Sequence, residues 1–329
     1  MSRQFDIKQN QPPGEQAMAI LGTILYFDVF RHPLTLDEIF RYVQWHHRSL
    51  SEVAAAIEEL QSAGILECED GFYFFAGTES TVRLRRERNK RALLYGEKAE
   101  RWSKFISGFP FIRTVCISGS LSKGTMDKDG DIDYFIITEP GRLWLARTML
   151  ILFKKVFLFN SRKYFCVNYF IDTDHLAIPD RNLFTATELA TVKPMRDSDI
   201  FESFLKENHW AELFYPNAMR HPSRALPARN GAVKRTAERL FNGKPGEWLD
   251  NFFFRLTLRR WKRKFPHHRD THFEVDFRSR KYVSKHHPQG FQRSVMARME
   301  QRREELNRKY GIVIQSPVFE WISPTVMED

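Results

Sequence analysis

The sequence predicts a mixed α+β protein, on three observations. Three short amphipathic helix patterns lead into a hairpin between residues 15 and 80. Strand-length apolar runs alternate with helical stretches between 111 and 215, and the chain beyond 216 is basic and mainly helical. At 329 residues the chain is long for one compact unit, so two or three domains are expected. Apolar residues make up 42% and Phe alone occurs 29 times, which supplies packed cores and excludes global disorder.

Residues 1–14 read as a flexible tail, rich in Gln and ending in Pro12-Pro13-Gly14. No apolar stretch follows the charges of this tail, so no signal peptide is expected. A domain over 15–80 follows. Its first helix runs through AMAILGTILYFDVF. The second starts at Thr35, with Glu38 placed for a capping box, and the third starts at Ser49 with Glu52 in the same relation. Gly64 fits the residue after the third helix, and Glu69-Asp70-Gly71 marks a hairpin within ILECEDGFYFF. Helix, helix, helix, hairpin resembles a winged helix, by pattern and not by any signature motif. The third helix carries Glu52, Glu58 and Glu59 and no Lys or Arg between Ser49 and Ser62; only His46, His47 and Arg48 precede it. Base edges and phosphates call for cationic or amide side chains, so a packing or protein-contact role is expected and DNA binding is not.

Residues 81–110 read as an amphipathic connecting helix with Leu84, Leu93, Leu94, Trp102 and Phe105 as its apolar positions. Strands are predicted at FIRTVCIS, IDYFIIT and KYFCVNYFI, with a helix over Leu143–Leu158 between the second and third. Leu183–Val192 and Asp199–Phe214 read as helices, the first ended by Pro194. The run from Leu143 to Phe159 is broken by Arg147, Lys154 and Lys155, too short and too charged to span a bilayer, so no membrane contact and a cytoplasmic location are expected. Cys68, Cys116 and Cys166 are far apart and odd in number; all three are expected as reduced core residues.

From 216 to 329 the chain is basic and mainly helical, ending in a strand-like GIVIQSPVF. Within 255–285, eleven Lys and Arg stand against three acids, with Phe265, Phe273, Phe277 and Tyr282 interleaved. Such a segment suits phosphate contact with base stacking, as for RNA or another anionic acceptor, or equally a solvated helix face. The histidines at 267, 268, 272, 286 and 287 lack a regular metal spacing and read as surface residues.

Chemistry concentrates in VCISGSLSKGTMDKDGDIDYFIIT, residues 115–138. An apolar strand ends at Gly119-Ser120, a polar loop follows, and Asp131-Ile132-Asp133 opens another apolar strand. Strand residues two apart share a side, so the aspartates project together while Ile132 faces the core. Paired carboxylates repel unless a cation lies between them, which suits a divalent, oxygen-seeking metal. The Gly119-Ser120 turn would bring N–H groups and a hydroxyl near metal-bound phosphates, and Lys123 could neutralise their charge.

The stretch resembles the signature of the DNA polymerase β-like nucleotidyltransferase superfamily. Gly119-Ser120, a ten-residue gap and Asp131-Ile132-Asp133 match its pattern, and Ser122-Lys123-Gly124 is similar to the small-basic-Gly run of bacterial members. The resemblance covers about 25 residues at the motif and implies a domain over 111–215. It implies a small mixed sheet and transfer of a nucleoside monophosphate from an NTP to a hydroxyl (an RNA end, a small molecule or a protein). Asp131 and Asp133 would hold Mg²⁺ or Mn²⁺ as the catalytic and metal-binding pair, with Gly119, Ser120, Lys123 and Asn168 at the nucleotide. A third carboxylate, usual in such enzymes, is missing from the expected strand, where Asn168 is the polar interior residue; Asp172 and Asp174 lie just past it. This departure keeps two other readings open, a catalytically inactive nucleotide-binding regulator and a winged-helix DNA-binding regulator.

Overall fold

The computed structural model describes residues 14–45, 49–161, 163–219, 225–264, 278–285 and 291–314. Tail residues 1–13, His46 to Arg48, the histidines and phenylalanines expected within 265–277, His286, His287 and most of GIVIQSPVF lie outside these.

Side-chain caps start the second and third helices. Helix α1 (Glu15–Asp28) is followed by a two-residue strand β1 (Leu34–Thr35), and Thr35 then opens α2 (Leu36–Tyr42) with a complete capping box to Glu38. Ser49 caps α3 (Leu50–Ser62) by accepting from the Glu52 N–H, and Gly64 takes φ 69° beyond its end. Asp70 and Gly71 both adopt positive φ, the geometry that joins β2 (Leu66–Glu69) to β3 (Phe72–Phe75) in a tight hairpin. These strands pair in the antiparallel order β1-β3-β2. The outer face of α3 is acidic, with Glu58 and Glu59 exposed. Cys68 is exposed, against the expectation of a core thiol: β2 is an edge strand whose residues past Leu66 reach solvent, whereas Cys116 and Cys166 are buried.

Helix α4 (Val82–Ile106) buries a stripe through Arg85, Ala92, Tyr95, Ala99, Ser103 and Ile106. Leu93 and Leu94, expected on its apolar face, point to solvent at 77% and 63% exposure. Small residues let α4 approach the sheet closely, and the leucines fall on the other side. Arg85 joins the helix to the N-terminal unit through the Pro33 carbonyl, His32 and Glu38.

A six-stranded mixed sheet follows, in the order β7-β4-β5-β6-β9-β8. Its strands are β4 (Ile112–Ser118), β5 (Asp133–Thr138), β6 (Cys166–Asp172), β7 (Lys193–Arg196), β8 (Ser279–Arg280) and β9 (Val283–Lys285). Among the described strands, β5 and β6 are the pair that runs parallel, through the crossover helix α6 (Leu143–Phe157). Alternation sends Val115, Ile117, Tyr134 and Ile136 to one face, against α4, α6 and Trp261, and sends Cys116, Phe135 and Ile137 to the other. Because both faces are covered, β5 is buried from Tyr134 to Thr138. The second face is closed by α7 (Leu183–Thr191) and α8 (Ser198–Glu207), the latter ending at Asn208 before a 3₁₀ turn; one continuous helix had been expected there.

The region beyond 216 is not a separate body. After α9 (Ala232–Leu240), α10 (Lys244–Lys264) packs on α6, and the β8–β9 hairpin extends the sheet. Helix α11 (Phe291–Tyr310) returns to α1, with Val295, Met299 and Leu306 buried in the shared core and Arg302 paired with Asp28. Among the described residues, no helix is long and apolar enough to cross a membrane.

Candidate functional site

The site forms where β4 ends and β5 begins. Ser118 lies opposite Asp133 in the β4–β5 register, so the chain turns beside the carboxylate it will later supply. Gly119 makes that turn at φ 66°, a left-handed conformation that costs other residues about 1–2 kcal/mol. Space is a second constraint: a Cβ at 119 would lie 2.7 Å from Asp133 Oδ2. Residues 119–122 form the single turn α5 (Gly119–Ser122) before the loop to Asp131.

Strand β6 supplies the other side. Ile132 N–H donates to the Lys163 carbonyl and Cys166 N–H to the Ile132 carbonyl, fixing the Asp131-Ile132-Asp133 segment. Ile132 is fully buried, while both aspartates are half-buried at the cleft. The pairing runs Tyr134 to Val167 and then Phe135 to Tyr169, so Asn168 is the extra residue of a β-bulge. Bulges re-aim side chains. Here the bulge brings Asn168 Nδ2 to donate to Asp133 Oδ1 at 3.0 Å.

Ligand atoms of Asp131, Asp133 and Cys166 lie within 4.8 Å of one another. The two carboxylates suit a hard divalent cation such as Mg²⁺. Burial and the neighbouring Asp133 and Asp131 charges push the Cys166 thiol well up, so it stays protonated and contributes no thiolate. Burial, then the Asp131 charge, raises the Asp133 carboxyl to about 7, with Glu188 adding to the rise. Two acids whose charges oppose each other are a fit for a cation that would relieve both.

This shift has a sign that can be checked. Asp133 is protonated more readily folded than unfolded, so it favours the fold below about pH 4. That contribution is lost as pH rises through about 7. In metal-free protein, Asp133→Asn is therefore expected to raise stability at pH 8 by about 1–3 kcal/mol and to change it little at pH 4. Thermal melts of both proteins at the two pH values provide the test; a gain at pH 4 equal to that at pH 8 would contradict it.

A cleft of about 460 Å³ opens over the pair, within the range of small-molecule sites. Gly119, Asp131, Asp133 and Asn168 line it together. Ser120 and Lys123 are not in its lining. Lys123 Nζ instead pairs with Glu188 Oε1 at 2.8 Å and donates to the Gly119 carbonyl, and the Gly119 N–H donates to Glu188 Oε2. In this conformation the cation and the N–H expected at phosphate are held by a carboxylate. Asp172 and Asp174 do not join the site either. Asp172 pairs with Thr138 at the opposite end of the strands, where it is buried and bonded to His175.

Glu188 is the site residue that sequence reasoning missed. It comes from α7, far along the chain, and one Glu in LFTATELAT carries no motif. Its spacing from the buried Leu183, Ala186 and Ala190 would have placed it on a polar edge, with nothing to say that the edge met Gly119. The chain matches no family model, and no curated protein or solved structure matches it.

Proposed function

We propose that this chain is a metal-dependent nucleotidyltransferase of the DNA polymerase β-like type, moving a nucleoside monophosphate from an NTP to a hydroxyl acceptor with release of pyrophosphate. The fit of Gly119 beneath Asp133 carries the reading. The motif's glycine and its second aspartate are parts of one close contact, in a cleft large enough for a nucleotide. Asp131 and Asp133 would hold the cation, Asn168 fixes one oxygen of Asp133, and Glu188 secures the Gly119 turn. A divalent cation there would neutralise the nucleotide phosphates and the charge developing at the transferred phosphoryl group. Labelled NTPs with Mg²⁺ or Mn²⁺, offered to RNA ends, small alcohols and protein hydroxyls, test it by covalent label transfer.

A nucleotide-binding regulator without turnover is the second reading, and Asn168 favours it. An amide beside Asp133 can orient that carboxylate but cannot accept a proton from the acceptor. Calorimetric NTP binding with no transfer to any acceptor would select this reading. DNA binding by the winged-helix-like N-terminal unit draws no support from the acidic outer face of α3.

For a polynucleotide acceptor, α10 offers the cations: Arg255, Arg259, Arg260, Lys262 and Arg263 are all exposed. Replacing Arg259, Arg260, Lys262 and Arg263 with Gln is expected to flatten the salt dependence of RNA affinity. Each lost contact should reduce the log–log slope by roughly 0.7–0.9, with NTP binding unchanged. An unchanged slope would leave a small molecule or protein hydroxyl as acceptor.

A further inference from the structure

The cleft has a second wall that the Gly-Ser and Asp-x-Asp motif does not explain. Arg147, Ile151 and Lys154 follow each other at helical spacing on α6, and this stripe lines the cleft together with Cys166, Val167 and Asn168. Among the described residues, β9 pairs with β6 at Tyr169, Phe170 and Ile171, beyond that stretch.

Arg147 is 9% exposed. Its guanidinium lies over the rings of Trp261 and Trp144, at 4.9 and 5.5 Å from their centroids. It has no hydrogen bond or ion pair among the described residues. Buried arginines elsewhere in the fold have acidic or carbonyl partners: Arg85 has Glu38 and the Pro33 carbonyl, Arg142 has three carbonyls, and Arg196 has Glu100 for its Nη2. Burial lowers the Arg147 pKa to about 10, which still leaves it cationic at neutral pH. An unpaired buried cation is costly, and two indole faces offset only part of that cost. The rings take none of its N–H donors, which remain for an anion in the cleft that Arg147 lines.

We infer that Arg147 is the anion seat of this cleft and takes a phosphate group of the ligand; the inference rests on the nucleotide reading of the same cleft. A planar fork of donors matches two phosphate oxygens at once. Lys154, also buried on the stripe, adds positive potential without needing direct contact. The phosphate belongs either to the NTP chain or to the phosphodiester of a polynucleotide acceptor.

Full-length wild type, Arg147→Met and Arg147→Lys would be titrated without metal against tripolyphosphate and against a 5′-hydroxyl RNA trinucleotide. Arg147→Met should weaken the probe that occupies the seat by about tenfold to a hundredfold. Arg147→Lys should recover part of this, because lysine keeps the charge and loses the fork. A loss confined to tripolyphosphate assigns the NTP chain, and a loss confined to the trinucleotide assigns the acceptor. Equal affinity of wild type and Arg147→Met for both probes, or no binding of either by wild type, overturns the seat. If Arg147→Met fails to fold, Arg147→Lys decides: unchanged affinity for both probes overturns it.

The two readings can fail separately. Mg²⁺-dependent NTP binding that survives Arg147→Met but not Asp131→Asn with Asp133→Asn removes the seat and keeps the nucleotide site. Tripolyphosphate binding that needs Arg147, with NTP binding indifferent to both aspartates, does the reverse.

Discussion

Replacing Asp131 and Asp133 together by Asn is expected to abolish Mg²⁺-dependent NTP binding and to reduce any transfer by about a thousandfold or more. A bound cation stabilises developing phosphoryl charge by several kcal/mol, and each 1.4 kcal/mol is about tenfold. Asn keeps the shape of Asp but gives up the charge that holds the metal. The fold should not suffer. Asp133 is already pushed up to about 7 by burial and by Asp131, so removing both charges relieves a repulsion in the metal-free protein. The double variant should therefore melt at or above the wild-type temperature at pH 8 while losing the metal response. Transfer at wild-type rate, or unchanged affinity for Mg-ATP, would show that this pair is not the metal site.

Gly119→Ala should have the next largest effect, and it should act twice. The residue sits at φ 66°, where a side chain costs about 1–2 kcal/mol. The new Cβ would also press on Asp133 Oδ2 from 2.7 Å, so the carboxylate or the turn must move. Displacing a reacting constellation by about 1 Å costs on the order of a hundredfold in rate, and that loss is expected here. Gly141→Ala separates the two effects. Gly141 has φ 69° but nothing within 4 Å of a Cβ. It should lose similar stability and keep Mg-NTP affinity. If Gly119→Ala matches Gly141→Ala in both properties, the contact with Asp133 has no functional weight.

The local elements were legible because their signals are local. Thr35 with Glu38, Ser49 with Glu52, Gly64 and Asp70-Gly71 each act on backbone within four residues, so caps and turns can be read directly from the chain. The two-residue alternation of β5 and the 3.6-residue repeat of α6 are local in the same sense. Strand β7 was missed because Lys193-Pro194-Met195-Arg196 lacks an apolar run and is held by pairing with β4 and a bridge to Leu226, both distant in the chain. The hairpin at 279–285 was missed for the same reason, since it is held by its pairing with β6.

By itself, the sequence determined a mixed helix-and-strand chain, its caps and turns, and a carboxylate pair whose two-residue spacing forces both acids to one side of a strand. Tertiary structure decided what surrounds that pair. It made Asn168 a bulge residue bonded to Asp133, sent Asp172 to the far end of β6, and brought Glu188 to Gly119 and Lys123 across 65 or more residues of chain. It also left the guanidinium of Arg147 against two tryptophans in the cleft wall. Spacing along a strand or helix fixes direction, because backbone geometry repeats. Which distant side chain meets that direction depends on how helices and sheet pack, and no short window of sequence contains it.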